Sequence, residues 1–232
     1  MLVSRNISAL VIASSVSTAL LSNELSLNGF ASLTRGMTFD NDQTYLDNDL
    51  SMKTDSKVGI QLDAVLEDGL SATMQFMARG KDEFNAELEW SYISYELSDT
   101  SQIKFGKLRL PIYYYSTSLD VGYAYNWIRP PEDVNSLPIS SFGGLDYSTS
   151  FEFGEWSLVA QTFFGSNRSD VEENGDIDLT QVSRLVLEIE KDWFNSRLSA
   201  TNGKVDGYST TSDVNYYSIA FSASLNQLTL NI

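Results

Sequence analysis

Apolar residues recur at every second position through most of the chain, the pattern of β-strands with one apolar and one polar face. In the run 58–66, Val58, Ile60 and Leu62 alternate with Gly59 and Gln61. Counting such runs predicts eleven strands, the last of only five residues, 228–232. The fourth run, 87–97, changes face part-way along, which predicts a β-bulge.

Short turns alternate with longer polar connections along the chain. The short turns are predicted at 67–69, 98–100, 154–155, 190–192 and 226–227. The longer connections are predicted at 36–56, 80–86, 110–142, 165–178 and 202–214. This alternation is typical of a transmembrane β-barrel with a polar lumen, so we predict an all-β, transmembrane antiparallel barrel. A soluble β-sandwich also has alternating strands, and a secreted or surface carbohydrate-binding sandwich is the alternative.

Composition narrows the possible functions. The chain has 232 residues, no His, no Cys and a formal net charge of −16. Without histidine the chain has no Ser-His-Asp triad and no side chain that ordinarily exchanges protons near neutral pH. Outer-membrane phospholipases and proteases usually rely on histidine. We therefore predict that the protein is not an enzyme. The negative charge argues against binding nucleic acid. Acidic residues in the first and fourth long connections match no EF-hand spacing, which predicts a solvated acidic surface and no metal site.

The amino terminus predicts export. Residues 1–22 carry Arg5 near their start, followed by a short apolar run rich in small residues, as in a secretory signal peptide. The remaining chain, 23–232, is predicted to be one barrel domain.

Two stretches of sequence carry a family resemblance. They are LSLNGFASLTRG, directly after the predicted signal, and GKLRLPIYYYSTSLDVGYAYNWIRPPEDV, around the start of the longest connection. From Leu25 to its end, the chain resembles Gram-negative outer-membrane porins. The second stretch is similar to the third-loop region of porin-like proteins from marine gammaproteobacteria.

The resemblance implies a function, a location and a set of partners. The implied function is passive diffusion of small hydrophilic solutes and ions through a water-filled barrel in the outer membrane, with no cofactor. The implied partners are outer-membrane lipid and lipopolysaccharide, the transported solutes, and two further copies of the chain in a homotrimer.

The longest connection, 110–142, is the predicted constriction. In porins the third long loop folds inward, and acidic groups on the loop face basic groups on the wall. The candidates on the loop are Asp120, Arg129, Glu132 and Asp133, and those on the wall are Arg79, Lys104, Arg184 and Arg197. The aromatic residues predicted to pack the loop against the wall are Tyr113, Tyr114, Tyr115, Tyr123, Tyr125 and Trp127. Charges at such a narrow point set ion selectivity.

The strand count departs from the family pattern. Single-chain bacterial barrels have an even number of strands, and the chain does not end on the Phe or Trp that the resemblance leads us to expect. We therefore predict a chain that carries eleven strands of a sixteen-strand barrel. A complete twelve-strand outer-membrane channel is the alternative.

Overall fold

The computed structural model describes residues 25–35, 53, 55–67, 69–112, 116, 120, 140–169, 177–206, 211–225 and 228–231. In these residues the chain is all-β, with one 3-10 turn at Gly80–Asp82 and eleven strands. The strands are β1 (Leu25–Ser32), β2 (Lys57–Glu67), β3 (Leu70–Arg79), β4 (Ala86–Ser98), β5 (Ser101–Arg109), β6 (Ser141–Phe153), β7 (Trp156–Ser169), β8 (Ile177–Lys191), β9 (Phe194–Asp206), β10 (Thr211–Leu225) and β11 (Leu228–Asn231). The predicted fold class is confirmed. The described part contains no helix long and apolar enough to cross a membrane.

Each strand pairs with its neighbours in the chain. The eleven strands form one sheet in the order β1 to β11. Neighbouring strands run antiparallel, as in the pairs Leu145 opposite Phe164 and Leu198 opposite Ile219. A sandwich requires strands to pass from one sheet to another through Greek-key connections. The carbohydrate-binding sandwich is therefore the wrong alternative for the strands that the structure describes.

The two faces of the sheet differ in polarity and exposure. On β8, Leu185, Leu187 and Ile189 are all exposed on one face. On the opposite face of that strand, Arg184 and Val186 are buried. We call these the apolar face and the polar face. A contiguous exposed apolar surface of this kind is rare in soluble monomers and is what a strand presents to lipid.

The described residues divide into two compact units. The first unit takes its residues from Met1–Ala64, Thr73–Glu89 and Ser118–Ser136. The second takes them from Val65–Ala72, Trp90–Thr117 and Leu137–Ile232. The two units are described separately below.

Strand boundaries differ from the predicted ones at the long connections. β9 continues to Asp206 and β10 begins at Thr211, where a loop over 202–214 was predicted. Asn202 pairs with Asn215 across these strands. The sequence missed these ends because backbone pairing needs no apolar side chains, so a strand can continue past the point where alternation stops.

The change of face in β4 coincides with no register shift in its pairing with β5. Pairing with β5 is unbroken from Ser91 to Glu96 and shifts only between Glu96 and Ser98.

Candidate functional site

The residues that follow β5 pack against the polar face within the second unit. Leu110 is 3% exposed, and Pro111 and Ile112 are buried as well. Leu110 and Ile112 belong to a buried apolar cluster that also contains Phe142 and Phe163. The start of the long connection is therefore held against the wall by apolar burial.

Two wall arginines hold the backbone of this segment. Arg184 donates hydrogen bonds from Nη2 to the Ile112 carbonyl oxygen at 2.8 Å and to the Ser199 hydroxyl oxygen at 2.7 Å. Arg197 donates from Nη2 to the Pro111 carbonyl oxygen at 3.4 Å. We call Arg184 and Arg197 with these acceptors the carbonyl clamp. The three oxygen atoms that accept these hydrogen bonds are neutral.

The first unit contains a cluster of four charges around Arg79. Arg79 Nη2 lies 2.8 Å from Glu89 Oε2 and 3.0 Å from Asp120 Oδ2. The second Asp120 oxygen, Oδ1, lies 3.8 Å from Lys57 Nζ. Glu89 is 5% exposed and Asp120 is 6% exposed. We call these four residues the ion cluster; its two cations and two anions balance.

The ion cluster joins two predicted site residues, Arg79 and Asp120, with two that the sequence did not single out. Lys57 was not singled out because it lies one residue before the predicted strand. It is four residues from Gln61, and this even spacing places it on the polar face of the strand. Glu89 has the parity of Ile93, which is exposed on the apolar face. Glu89 is nevertheless buried against Arg79 of the neighbouring strand, so its parity along the chain was no signal for this role.

Lys104 lies in neither group. Its ammonium is placed over the ring of Tyr92, 5.5 Å from the ring centroid, on the polar face of β5. It lines a cavity together with Tyr92, Asp146 and Gln161.

The remaining candidates lie outside the described residues. They are Arg129, Glu132, Asp133 and the aromatic residues Tyr113, Tyr114, Tyr115, Tyr123, Tyr125 and Trp127. The predicted signal, 1–22, lies outside them as well.

The charged groups form fixed polar arrangements on one face of the sheet. Such arrangements can attract or repel ions and orient polar solutes, because charges held at a low-dielectric wall act strongly on nearby solutes. The described residues contain no group of three or more side chains suited to hold a metal ion.

Neither a protein-family model nor a curated protein matches the sequence. Among solved structures, the chain is similar to outer-membrane-expressed OmpT of Vibrio cholerae, with a TM-score of 0.45, 11% identity, and coverage of 91% of this chain and 75% of that chain. It is also similar to a loop L8 deletion mutant of that outer-membrane protein, with a TM-score of 0.43, 12% identity, and coverage of 88% and 78%. The trimer form of the in-vitro folded protein gives a TM-score of 0.43, 12% identity, and coverage of 88% and 74%.

The expectation that the protein is not an enzyme is corrected. The similar structures are named OmpT, a name that an outer-membrane protease also bears. Carboxylates alone can perform acid–base chemistry. The lack of histidine excludes only histidine-dependent mechanisms, and the broader exclusion is withdrawn.

Proposed function

We propose that the protein is a channel in the outer membrane of a Gram-negative bacterium and that small hydrophilic solutes and ions diffuse passively through it. The observation that carries the proposal is the two-sided sheet. One face exposes large apolar side chains, and the other buries charged residues against the segment that follows β5. A wall between lipid and water needs this division.

The exposure of the apolar face supports the membrane location. Tyr217 and Ile219 on β10 are each 71% exposed, and Phe105 on β5 is 67% exposed. Burying such side chains in hydrocarbon is favourable by roughly 25 cal/mol per Å² of apolar surface. The sheet also satisfies backbone hydrogen bonds between strands, as a spanning segment must.

We further propose that the connection 110–142 narrows the channel and that the ion cluster contributes to its selectivity. Two contacts support this. Asp120 reaches Arg79, 41 residues away along the chain, and the Ile112 carbonyl reaches Arg184, 72 residues away. Each brings part of the connection to the polar face of its own unit. The roles of Arg129, Glu132, Asp133 and the loop aromatics are part of the same proposal.

Other parts of the proposal rest on the sequence and the family resemblance. They are the signal peptide at 1–22, the domain 23–232, the sixteen-strand barrel, the homotrimer, and contacts with outer-membrane lipid and lipopolysaccharide. Chemical cross-linking of the folded protein tests the homotrimer.

Conductance in planar bilayers tests the channel. Refolded wild-type protein is expected to insert in discrete current steps and to give a measurable reversal potential in a KCl gradient. If protein that has the heat-dependent gel mobility of a folded barrel gives no current steps, the channel proposal is wrong.

An isosteric variant tests the contribution of the ion cluster. Asp120→Asn removes one negative charge and is expected to shift the reversal potential towards anion selectivity, because the remaining Arg79 and Lys57 then outnumber Glu89. Asp99→Asn, in the exposed turn between β4 and β5, is the matched control and is expected to leave the potential unchanged. If both variants shift the reversal potential equally, Asp120 makes no specific contribution to ion selectivity.

A further inference from the structure

A cavity of about 200 Å³ opens on the polar face of the second unit. It lies beside Lys104, which is opposite Asp146 across β5 and β6. In the next row on the same face Gly106 lies opposite Gly144, so no side chain from that row fills the space beside the pair. We call this space the Lys104 cavity. Its walls include Trp90, Tyr92, Lys104, Leu108, Asp146 and Gln161.

Lys104 and Asp146 compensate each other's charge. They are direct cross-strand neighbours, and the positive charge of Lys104 acts on the Asp146 carboxylate. Arg109 lies over the Trp90 ring, 5.5 Å from its centroid, and makes a further interaction, so it forms part of the wall. A charged solute would bring a charge without a free counter-charge to this wall of low dielectric constant, which is costly. The cavity therefore favours a neutral solute.

One oxygen of Asp146 offers a specific hydrogen-bonding position. The residue is buried, at 4% exposure, and its Oδ2 accepts a hydrogen bond from Gln161 Nε2 at 2.7 Å. The other oxygen, Oδ1, accepts no hydrogen bond from the described residues. A buried carboxylate oxygen normally accepts at least one hydrogen bond. A hydroxyl group, from water or from a solute, is a neutral donor that satisfies this atom.

The other walls suit the C–H groups of a ring. Trp90 and Tyr92 lie two residues apart on the polar face of β4, and Leu108 and Pro111 add apolar surface. Aromatic side chains with a polar tip pack well in half-wet sites of this kind. Sites for drug-sized ligands occupy about 300–1,000 Å³, so this smaller cavity suits a solute with a single ring.

We propose that the Lys104 cavity binds a neutral monosaccharide. One hydroxyl group of the sugar donates a hydrogen bond to Asp146 Oδ1, and the C–H groups of its ring lie against Trp90 and Tyr92. As a subsite for solutes in transit, the cavity rests on the proposed channel function. Binding itself does not.

Titration calorimetry of the refolded full chain tests binding at pH 7 and fixed ionic strength, in a detergent whose head group is not a sugar. D-glucose is the probe. Glucuronate and glucosamine, which add a negative and a positive charge to the same ring, are the comparison ligands. Glucose is expected to bind at least about fivefold more tightly than either, because the Lys104–Asp146 pair leaves no counter-charge for them. Equal or tighter binding of a charged sugar would overturn the proposal. So would the absence of glucose binding, which would leave water as the donor to Asp146.

Substitutions of the pair should change which sugar is preferred. Asp146→Asn removes the counter-charge of Lys104, so the affinity for glucuronate relative to glucose should rise by about fivefold or more. Lys104→Gln leaves Asp146 uncompensated, so the affinity for glucosamine relative to glucose should rise by a similar factor. A purely structural role would weaken all three sugars alike and leave these ratios unchanged. Unchanged ratios in a variant with the heat-dependent gel mobility of the folded protein would refute the assignment.

Matched substitutions outside the cavity are the controls. Asp63→Asn changes a residue of β2 in the first unit, and Lys107→Gln changes a residue exposed on the opposite face of β5. Both variants should keep the wild-type order of affinities. A control that changes the ratios as much as its counterpart would place the binding elsewhere.

Conductance separates this proposal from the channel proposal. Current steps without glucose binding leave the channel and remove the subsite. Glucose binding without current steps leaves the site and removes the channel.

Discussion

The ion cluster and the carbonyl clamp hold parts of the same connection by different chemistry. In the first unit, Arg79 contacts the carboxylates of Glu89 and Asp120. In the second unit, Arg184 contacts a backbone carbonyl and a hydroxyl. Both arginines are largely removed from water, with side-chain exposure of 17% for Arg79 and residue exposure of 2% for Arg184.

The difference lies in what remains when the arginine is removed. Loss of a cation from the ion cluster leaves buried carboxylates without compensation, which is costly. Loss of a cation from the carbonyl clamp leaves neutral acceptors, which cost less to leave unpaired. The hydrogen bonds of Arg79 and Arg184 have similar lengths, but removing Arg79 should destabilise the protein more than removing Arg184.

Arg79→Leu is expected to have the largest effect. It leaves Glu89 and Asp120 short of a cation and should lower the free energy of unfolding by about 3–5 kcal/mol. Guanidinium titration followed by tryptophan fluorescence in lipid vesicles measures this change. Arg35→Leu, at an exposed position, is the control and should change little. Adding Glu89→Gln to Arg79→Leu should recover part of the loss; no recovery would mean that unpaired charge is not the cause.

Arg184→Leu should have a smaller effect. The Ile112 carbonyl and the Ser199 hydroxyl lose a donor, and the expected loss of unfolding free energy is about 1–3 kcal/mol. The same titration measures it beside Arg79→Leu. If Arg184→Leu lowers the unfolding free energy as much as Arg79→Leu does, the charge of the acceptors does not determine the cost of losing the arginine.

Gly165→Ala tests the apolar packing beneath the carbonyl clamp. A Cβ at Gly165 would clash with the Gly143 carbonyl oxygen and would lie 2.6 Å from the Phe142 ring, whose centroid is 4.5 Å from that of the stacked Phe163 ring. Overpacking of this kind should lower the unfolding free energy by about 1–2 kcal/mol. Gly143→Ala is the matched control, since its nearest contact would be at an ordinary 3.8 Å. If Gly165→Ala and Gly143→Ala change the unfolding free energy equally little, β6 and β7 can move apart to admit the extra methyl group, and the predicted overpacking is wrong.

Glu155→Gln should have the smallest effect and extends the comparison to an exposed pair. Glu155, in the turn after β6, accepts a hydrogen bond from Lys191 Nζ at 2.6 Å. That hydrogen bond and the positive charge of Lys191 lower the pKa of Glu155. Because the pKa of Glu155 is lower in the folded chain than in the unfolded chain, its ionised form stabilises the folded state at every pH above the unfolded-state pKa. This stabilisation is lost as the pH falls through the folded-state pKa. The small difference between wild type and variant at pH 7 should therefore disappear in acid; a difference that grows in acid would contradict the assignment.

The fold was largely predictable from alternation. Leu185, Leu187 and Ile189 were assigned to one face and Arg184 to the other, and the structure places them so. The period of two follows from strand geometry and needs no knowledge of neighbouring strands. The predicted bulge in β4 corresponds to no register shift in the pairing with β5, because Trp90 and Tyr92 line the polar-face cavity although they are aromatic.

The sequence by itself determined the strands and the polarity of their faces, because these depend on local period and residue type. Only the tertiary structure decided which charges meet. Arg79 and Asp120 are 41 residues apart, and Arg184 and Ile112 are 72 apart. Their contacts depend on the path of the connection after β5 and on the register of distant strands, and neither has a local signature. For the same reason, Glu89 acquires its role only when the neighbouring strand places Arg79 beside it.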